Sequence, residues 1–243
     1  MSIRTKLIKF LECPDTVIAK FRGIRPDHAY YLSTIKTAAD KKFKTIIDVG
    51  ASSMLYSEAA HYYYPEAQIY AFEPVPKKMD KLNNCKWLKL FPIGLWNSNG
   101  RANLNIPRNE DLDDCSSFLE FGNEGFIKGI YEKTESKIDY DKVNVERKRF
   151  DSLDIDIKSP CLLKIDTEGS EIFVLKGFGS KLKEIDVIQL EVNFQENQKG
   201  QTKISELISY LELYGFIGFI QKTLRYGENG YPNHCDLIFF RKN

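Results

Sequence analysis

Short apolar segments recur along this chain, and polar or turn-forming residues follow each of them. The segments at residues 45–49, 69–72, 161–165 and 185–192 are mostly apolar and too brief for helices. Such runs are typical of strands buried on both faces of a parallel sheet. Because helical periodicity returns between several of them, the pattern predicts an α/β protein.

Three stretches have the spacing of amphipathic helices. The first follows residues 45–49, with Ser52 or Ser53 as a candidate N-cap, and the second spans residues 172–178. The third follows Thr202, its candidate N-cap, and ends at Gly215. The apolar stripes of the first and third are Leu55, Ala59, Tyr62 and Tyr63, and Ile204, Leu207, Ile208, Leu211 and Tyr214.

Further short strands complete the predicted sheet. Residues 87–96 resemble a third strand followed by a turn, and residues 102–106 and 143–149 alternate in polarity. The last two strands, residues 216–221 and 236–241, predict an antiparallel hairpin at the sheet edge.

The chain divides into an extension and one main domain. Residues 1–43 have helical patterns that predict an N-terminal extension or cap, and residues 44–243 form the α/β domain, with a helix predicted at residues 77–83. Residues 107–142 are rich in acidic and turn-forming residues, which predicts a surface insertion or lid.

Composition excludes several classes of protein. A formal net charge of +1 over 243 residues gives no field that would attract nucleic acid or an anionic membrane. The five scattered cysteines predict reduced thiols, and the absence of a transmembrane segment and a leader peptide predicts a cytoplasmic protein. The first 11 residues contain an apolar stripe that is a candidate contact with a partner subunit, so a homo-oligomer remains one of the alternatives.

The first chemical motif joins two predicted strands. The first strand ends at Asp48 and Gly50, and the second ends at Glu73, which is 23 positions beyond Gly50. Nucleotide-binding folds place a ribose-binding carboxylate at the end of their second strand. The further glycines that a pyrophosphate requires are missing, so a nucleoside without phosphate, such as S-adenosylmethionine, fits better. A packing role for the Asp-x-Gly turn stays open.

The second motif adds acidic residues at the same sheet edge. Asp166 and Glu168 follow residues 161–165, and Glu191 ends a later strand. Crowded carboxylates repel one another, and a cationic ligand would relieve this repulsion. Glu171 also favours the dipole of the helix it begins. A divalent cation is an alternative that nothing in the spacing requires.

With these motifs in place, the chain resembles the FkbM family of S-adenosylmethionine-dependent methyltransferases. The most specific match is Lys-Ile-Asp-x-Glu-Gly-x-Glu, at residues 164–171. The matching segments are IIDVGASSMLYS (46–57), IYAFEP (69–74), IGLWNSNG (93–100), DCSSF (114–118), FDSLD (150–154), LLKIDTEGSEIFVLKG (162–177) and QLEVNF (189–194).

The resemblance implies a class I methyltransferase fold. This is a Rossmann-like sheet of about seven strands with an antiparallel last strand and helices on both faces. It also implies O-methylation of a hydroxyl on a sugar or polyketide-like small molecule, with a sugar or glycan precursor as the leading acceptor. The family usually has Asn and Gly where this chain has Ser52 and Met54. This difference predicts either a tighter pocket for the methionine part of the cofactor or weaker cofactor binding.

The motifs and the resemblance together nominate a set of site residues. Asp166 and Glu168 are the predicted catalytic carboxylates, and no metal is predicted. The predicted cofactor contacts are Asp48, Gly50, Ala51, Ser52, Glu73, Pro74, Ile93, Gly94 and Asp166. The predicted substrate contacts are Ser116, Ser117, Glu191 and His234.

Two other classes of function remain as alternatives. A nicotinamide oxidoreductase is disfavoured by the missing glycines, and no tyrosine is followed four positions later by lysine. A non-catalytic binding or scaffold protein would keep the fold with Ser53 and Met54 filling the cofactor pocket.

Overall fold

The protein is described by a computed structural model. The described residues are 31, 34–36, 41–75, 86–108, 115–122, 139–226 and 230–242. Most of the predicted N-terminal extension, the helix predicted at residues 77–83 and most of the predicted insertion lie outside these residues.

Ten strands and three α-helices have both of their ends within the described residues. The strands are β1 (Thr45–Val49), β2 (Gln68–Phe72), β3 (Leu88–Phe91), β4 (Gly94–Leu95), β5 (Gly100–Pro107), β6 (Tyr140–Lys148), β7 (Cys161–Ile165), β8 (Val187–Asn193), β9 (Phe216–Tyr226) and β10 (Pro232–Arg241). The helices are α1 (Leu55–Tyr63), α2 (Glu171–Phe178) and α3 (Ile204–Glu212), and 3₁₀ turns occupy Phe150–Ser152 and Gly179–Glu184.

The main sheet has seven strands in the order β3-β2-β1-β7-β8-β10-β9. The pairs β1–β2, β2–β3, β1–β7 and β7–β8 are parallel, whereas β10 is antiparallel to both β8 and β9. The predicted class I methyltransferase sheet with an antiparallel last strand is therefore confirmed. β9 and β10 pair antiparallel and β9 ends the sheet on that side, so the predicted edge hairpin is confirmed.

Helices cover both faces of this sheet, as predicted. Successive residues of a strand point to opposite faces, so Ile46 and Ile47 enter different cores. Ile47 belongs to the core that packs α2 and α3, while Ile46 belongs to the core that packs α1. All five residues of β1 are buried, as expected for a strand covered on both faces.

A second sheet, not anticipated from the sequence, has the order β4-β6-β5. The segment 87–96 supplies one strand to each sheet, because β3 ends at Phe91 and β4 begins at Gly94. β5 and β6 pair antiparallel along their length, and β4 joins β6 in parallel. This sheet brings Gly94 and Leu104 to the carboxyl edge of the main sheet.

Two of the predicted helix caps are wrong. The residue before α1 is Met54, in a left-handed conformation (φ 65°), and no side chain caps this helix. The residue before α3 is Lys203, again without a side-chain cap. Thr202 instead reaches across to α2, where its Oγ1 accepts a hydrogen bond from the Ile172 amide at 3.2 Å.

Two compositional expectations can be compared with the structure. Cys115, Cys161 and Cys235 are free, and the last two are buried. Within the described part of the chain, no helix is both long enough and apolar enough to cross a bilayer.

Candidate active site

A cleft of about 530 Å³, counting its open mouth, lies at the carboxyl ends of β1, β2 and β7. This edge is where ligands bind in open α/β sheets. The residues that line the cleft are Val49, Gly50, Ser52, Phe72, Glu73, Pro74, Gly94, Leu95, Leu104, Ser116, Ser117, Phe118, Asp166, Thr167 and Ser170.

The floor of the cleft depends on the close approach of two strand ends at Gly50. Gly50 has φ of 74°, and a Cβ built on it would lie 1.8 Å from the backbone oxygen of Asp166. Only a residue without a side chain fits this conformation and this contact. The Asp166 amide donates to the Val49 carbonyl at 3.0 Å, so the ends of β1 and β7 form one continuous wall.

Glu73 is held in the cleft by two backbone amides. The Ser52 amide donates to Oε2 at 2.8 Å, and the Val75 amide donates to Oε1 at 2.9 Å. The residue is only 5% exposed. Glu73 is therefore oriented before any ligand binds.

Lys164 forms a buried ion cluster behind the cleft. Its Nζ lies 3.2 Å from Asp48 Oδ1 and 3.5 Å from Asp166 Oδ2, and it donates to the Gly50 carbonyl at 3.0 Å. Burial alone would lower the pKa of Lys164, but the carboxylates of Asp48 and Asp166 raise it above its usual value. Lys164 is therefore a permanent cation, and Asp48 is its fully buried partner.

Three carboxylates meet beside the cleft. Oxygens of Asp166, Glu168 and Glu191 all lie within 4.8 Å of one another. Burial and the neighbouring Asp166 and Glu168 raise the pKa of Glu191 well above its ordinary value, so a proton on Glu191 relieves the repulsion. Such oxygen ligands are also of the kind that magnesium prefers, so these three residues could hold a divalent cation.

His234 lies on β10, within electrostatic reach of Asp166. It pairs with Asn193 in the β8–β10 ladder. Burial and the positive charge of Arg225 lower the pKa of His234, while Asp166 acts in the opposite direction. A neutral imidazole can accept as well as donate a hydrogen bond.

Residues 115–122 cross the cleft as a strap. The Ser117 hydroxyl donates to the Glu168 carbonyl at 2.9 Å, and backbone bonds join Ser117 to Asn105 of β5. The ring of Phe118 packs on Gly94 so closely that a Cβ there would lie 2.5 Å from it. The strap thus brings Phe118 and the two predicted serines into the lining.

The family model described as Methyltransferase FkbM domain matches residues 48–217 of this chain. The chain belongs to the FkbM methyltransferase family. The matched region contains both acidic motifs and the strap, while His234 and β10 lie beyond it.

Individual proteins similar to this FkbM domain are distant. Methyltransferase sdnD of Sordaria araneosa is 28% identical over 183 residues, which cover 65% of this chain and 67% of that protein. The crystal structure of methyltransferase FkbM from Methylobacillus flagellatus KT has a TM-score of 0.49 at 16% identity, covering 82% of this chain but only 44% of that chain. Precorrin-6y C5,15-methyltransferase from Geobacter metallireducens GS-15 has a TM-score of 0.45 at 12% identity, covering 88% and 87%.

The FkbM cleft gathers most of the predicted site residues. Asp48, Ala51 and Ile93 do not line it, because Asp48 is buried against Lys164 and the other two belong to the cores. Glu168 and Glu191 are not in the lining, but their carboxylate oxygens lie within 4.8 Å of an oxygen of Asp166, which is. The predicted residues in the lining are Gly50, Ser52, Glu73, Pro74, Gly94, Ser116, Ser117 and Asp166.

Several residues of the site were missed in the sequence. Lys164 carried the clearest signal, because a lysine inside the apolar strand CLLKI must find an acidic partner when both faces are buried. Leu104 and Phe118 gave no comparable signal. They reach the cleft only because the second sheet and the strap fold over it.

Proposed function

We propose that this FkbM domain is an S-adenosylmethionine-dependent O-methyltransferase that acts on a hydroxyl of a small molecule, with a sugar or glycan precursor as the favoured acceptor. Family membership supports methyl transfer. The observation that carries the choice of cofactor is the charge of the cleft. Glu73 and Asp166 line it, and among the described lining residues there is no Lys, Arg or His.

This lining suits a cationic nucleoside without phosphates. A pyrophosphate needs amide donors in a glycine-rich turn or basic side chains, whereas here the Ser52 amide is already bonded to Glu73. Glu73 would accept the ribose hydroxyls, and Leu104 and Phe118 would contact the apolar faces of the base. S-adenosylmethionine supplies an activated methyl group on a sulfonium, so the chain itself has to supply alignment and proton transfer.

The acidic group beside the cleft supports hydroxyl chemistry. A sugar hydroxyl is a poor nucleophile at neutral pH, and a positioned base contributes roughly 10² to 10⁴ fold. Asp166 is the candidate base nearest the cleft, and Glu168 is within 4.8 Å of it. Protonated Glu191 and neutral His234 would provide further hydrogen bonds to a polyol.

The position of Met54 bears on the scaffold alternative. Its side chain is completely buried in the core that packs α1 and is not part of the cleft lining. The replacement of a family glycine by Met54 therefore does not fill the cleft with a side chain, which favours an enzyme over a scaffold.

Calorimetric titration tests the cofactor. We expect S-adenosylhomocysteine to bind the wild-type chain and NAD not to bind. Binding of NAD alone would favour the oxidoreductase, and binding of neither would favour the scaffold.

Mass spectrometry of the products tests the reaction. We expect transfer of a trideuteromethyl group from labelled S-adenosylmethionine to at least one member of a panel of sugar precursors. Asp166→Asn should lower kcat by about 10² to 10⁴ fold, and Asp154→Asn, at an exposed position, is the matched control. Labelling of amines rather than hydroxyls would contradict O-methylation.

A further inference from the structure

Lys164 has more partners than charge neutralisation requires. It sits on β7 with 5% of its surface exposed, and its ammonium group meets three acceptors on different parts of the chain. These are the Asp48 carboxylate on β1, the Gly50 carbonyl in the following turn and the Asp166 carboxylate beyond β7, at 3.2, 3.0 and 3.5 Å.

Of these three partners, Asp48 is the one whose buried negative charge needs a cation for the chain to fold. Asp48 is fully buried, and besides Lys164 it has a hydrogen bond from the Ser57 hydroxyl at 2.7 Å. The other two partners belong to the cleft, because Gly50 and Asp166 line it. Lys164 therefore contacts the core through one ion pair and the wall of the site through a hydrogen bond and a second ion pair.

The surroundings fix where the ammonium group can lie. It is 5.5 Å from the centre of the Tyr56 ring, and the Tyr56 hydroxyl donates to Gln189 at 3.1 Å. Gln189 in turn donates to Asp236 at 3.2 Å. This chain of buried polar groups spans β7, β8 and β10, so Lys164 has a rigid support on one side and the cleft on the other.

We propose that Lys164 is a positioning residue, which holds the Gly50 turn and the Asp166 carboxylate in the arrangement that cofactor binding and methyl transfer require. Its contact with the Gly50 carbonyl sets the turn against the cofactor, and its contact with Asp166 aims that carboxylate at the acceptor. The inference rests on the proposed function, since it assigns Lys164 to the same reaction.

Two variants separate positioning from neutralisation. Because Lys164→Met alone would leave Asp48 buried without its cation, the test changes both residues together. The double variant Asp48→Asn with Lys164→Met removes both charges. Lys176→Met, which breaks an exposed ion pair with Glu206, is the matched control.

We expect the double variant to fold and to melt close to the wild type, yet to bind S-adenosylhomocysteine at least tenfold more weakly and to show kcat reduced about 100-fold. The control should retain wild-type values for both. Recovery of wild-type affinity and kcat in the double variant would overturn the proposal, because Lys164 would then serve only to neutralise Asp48.

Amide hydrogen exchange tests the same proposal without any ligand. The amides of Gly50, Ser52 and Asp166 are all hydrogen bonded in the walls of the cleft. We expect faster exchange at residues 50–53 and 166–169 in the double variant and unchanged exchange in the β9–β10 hairpin. If the wild type fails to bind S-adenosylhomocysteine, the proposed function fails, and the exchange rates alone decide the role of Lys164: unchanged exchange in the two turns would refute it.

Discussion

At the scale of single residues, Glu73 both orients the cleft and supports its own turn. Because its two oxygens accept the amides of Ser52 and Val75, the change Glu73→Ala leaves a half-buried and a buried donor without this partner. We expect the free energy of unfolding to fall by about 1–3 kcal/mol per unsatisfied donor, as measured by urea titration. Affinity for S-adenosylhomocysteine should fall at least tenfold.

The exposed Glu66, just before β2, is the matched control for that change. Glu66→Ala should alter neither unfolding nor binding. An unchanged affinity in Glu73→Ala, at a temperature where the variant is folded, would remove Glu73 from the cofactor site.

Gly50 and Gly200 provide a matched pair at the same scale. Both have left-handed backbones, with φ of 74° and 71°, but a Cβ at Gly50 would strike the Asp166 backbone whereas a Cβ at Gly200 meets nothing within 4 Å. Gly200→Ala should cost about 1–2 kcal/mol from strain alone. Gly50→Ala should cost several times more. Thermal unfolding of both variants measures these losses of stability. Equal losses in Gly50→Ala and Gly200→Ala would show that the ends of β1 and β7 can move apart to admit a side chain.

At the scale of elements, Thr202 joins α3 to the start of α2. Its hydroxyl accepts from the Ile172 amide and donates to the Gly169 carbonyl, and so provides a cap from a distant segment. Thr202→Val should destabilise the protein by about 1–2 kcal/mol, while Thr202→Ser, which keeps the hydroxyl, should lose less. Urea unfolding compares the two. A larger loss in Thr202→Ser than in Thr202→Val would mean that the methyl group rather than the hydroxyl matters.

The elements themselves were largely predictable, because local patterns specify them. β1 was predicted at its observed bounds and α3 within a few residues, since buried strands and amphipathic helices have clear periodicities. The helix caps were not predictable. Thr202 precedes α3 as a cap would, but its hydroxyl is used 30 residues away in sequence, and no local pattern contains that information.

At the scale of the whole molecule, the pH dependence of stability is tied to Glu171. Burial, and to a lesser extent the charge of Asp166, raises the pKa of Glu171 from 4.5 to about 7, against the opposing effect of the amides of Gly169 and Thr167. The folded protein thus keeps this proton over a range where the unfolded chain releases it. Its contribution to the free energy of unfolding therefore falls as the pH rises from about 4.5 to about 7.

Glu171→Gln isolates this effect. At 1.36 kcal/mol per pKa unit the contribution is about 3 kcal/mol. The free energy of unfolding of the variant should therefore rise by about that much relative to that of the wild type between pH 4.5 and pH 7, and the difference should stay constant above pH 7. Urea unfolding at pH 4.5 to 8 measures the difference. Glu212→Gln, at an exposed position of α3, should follow the wild-type curve. If the free energy of unfolding of Glu171→Gln changed with pH in the same way as that of the wild type, the glutamate would be ionised in the folded state.

The amino-acid sequence by itself determined the class of fold, the parallel core of the sheet and the clustering of acidic residues at its carboxyl edge. These features follow from short-range patterns and from the rule that parallel strands end at the same edge. Only the tertiary structure decided which of those residues face the cleft. Asp48 turned inward to Lys164, while Phe118 reached the lining from the strap and Leu104 from the second sheet. These outcomes depend on contacts between distant segments, whose geometry is set by packing of the whole chain rather than by any local pattern.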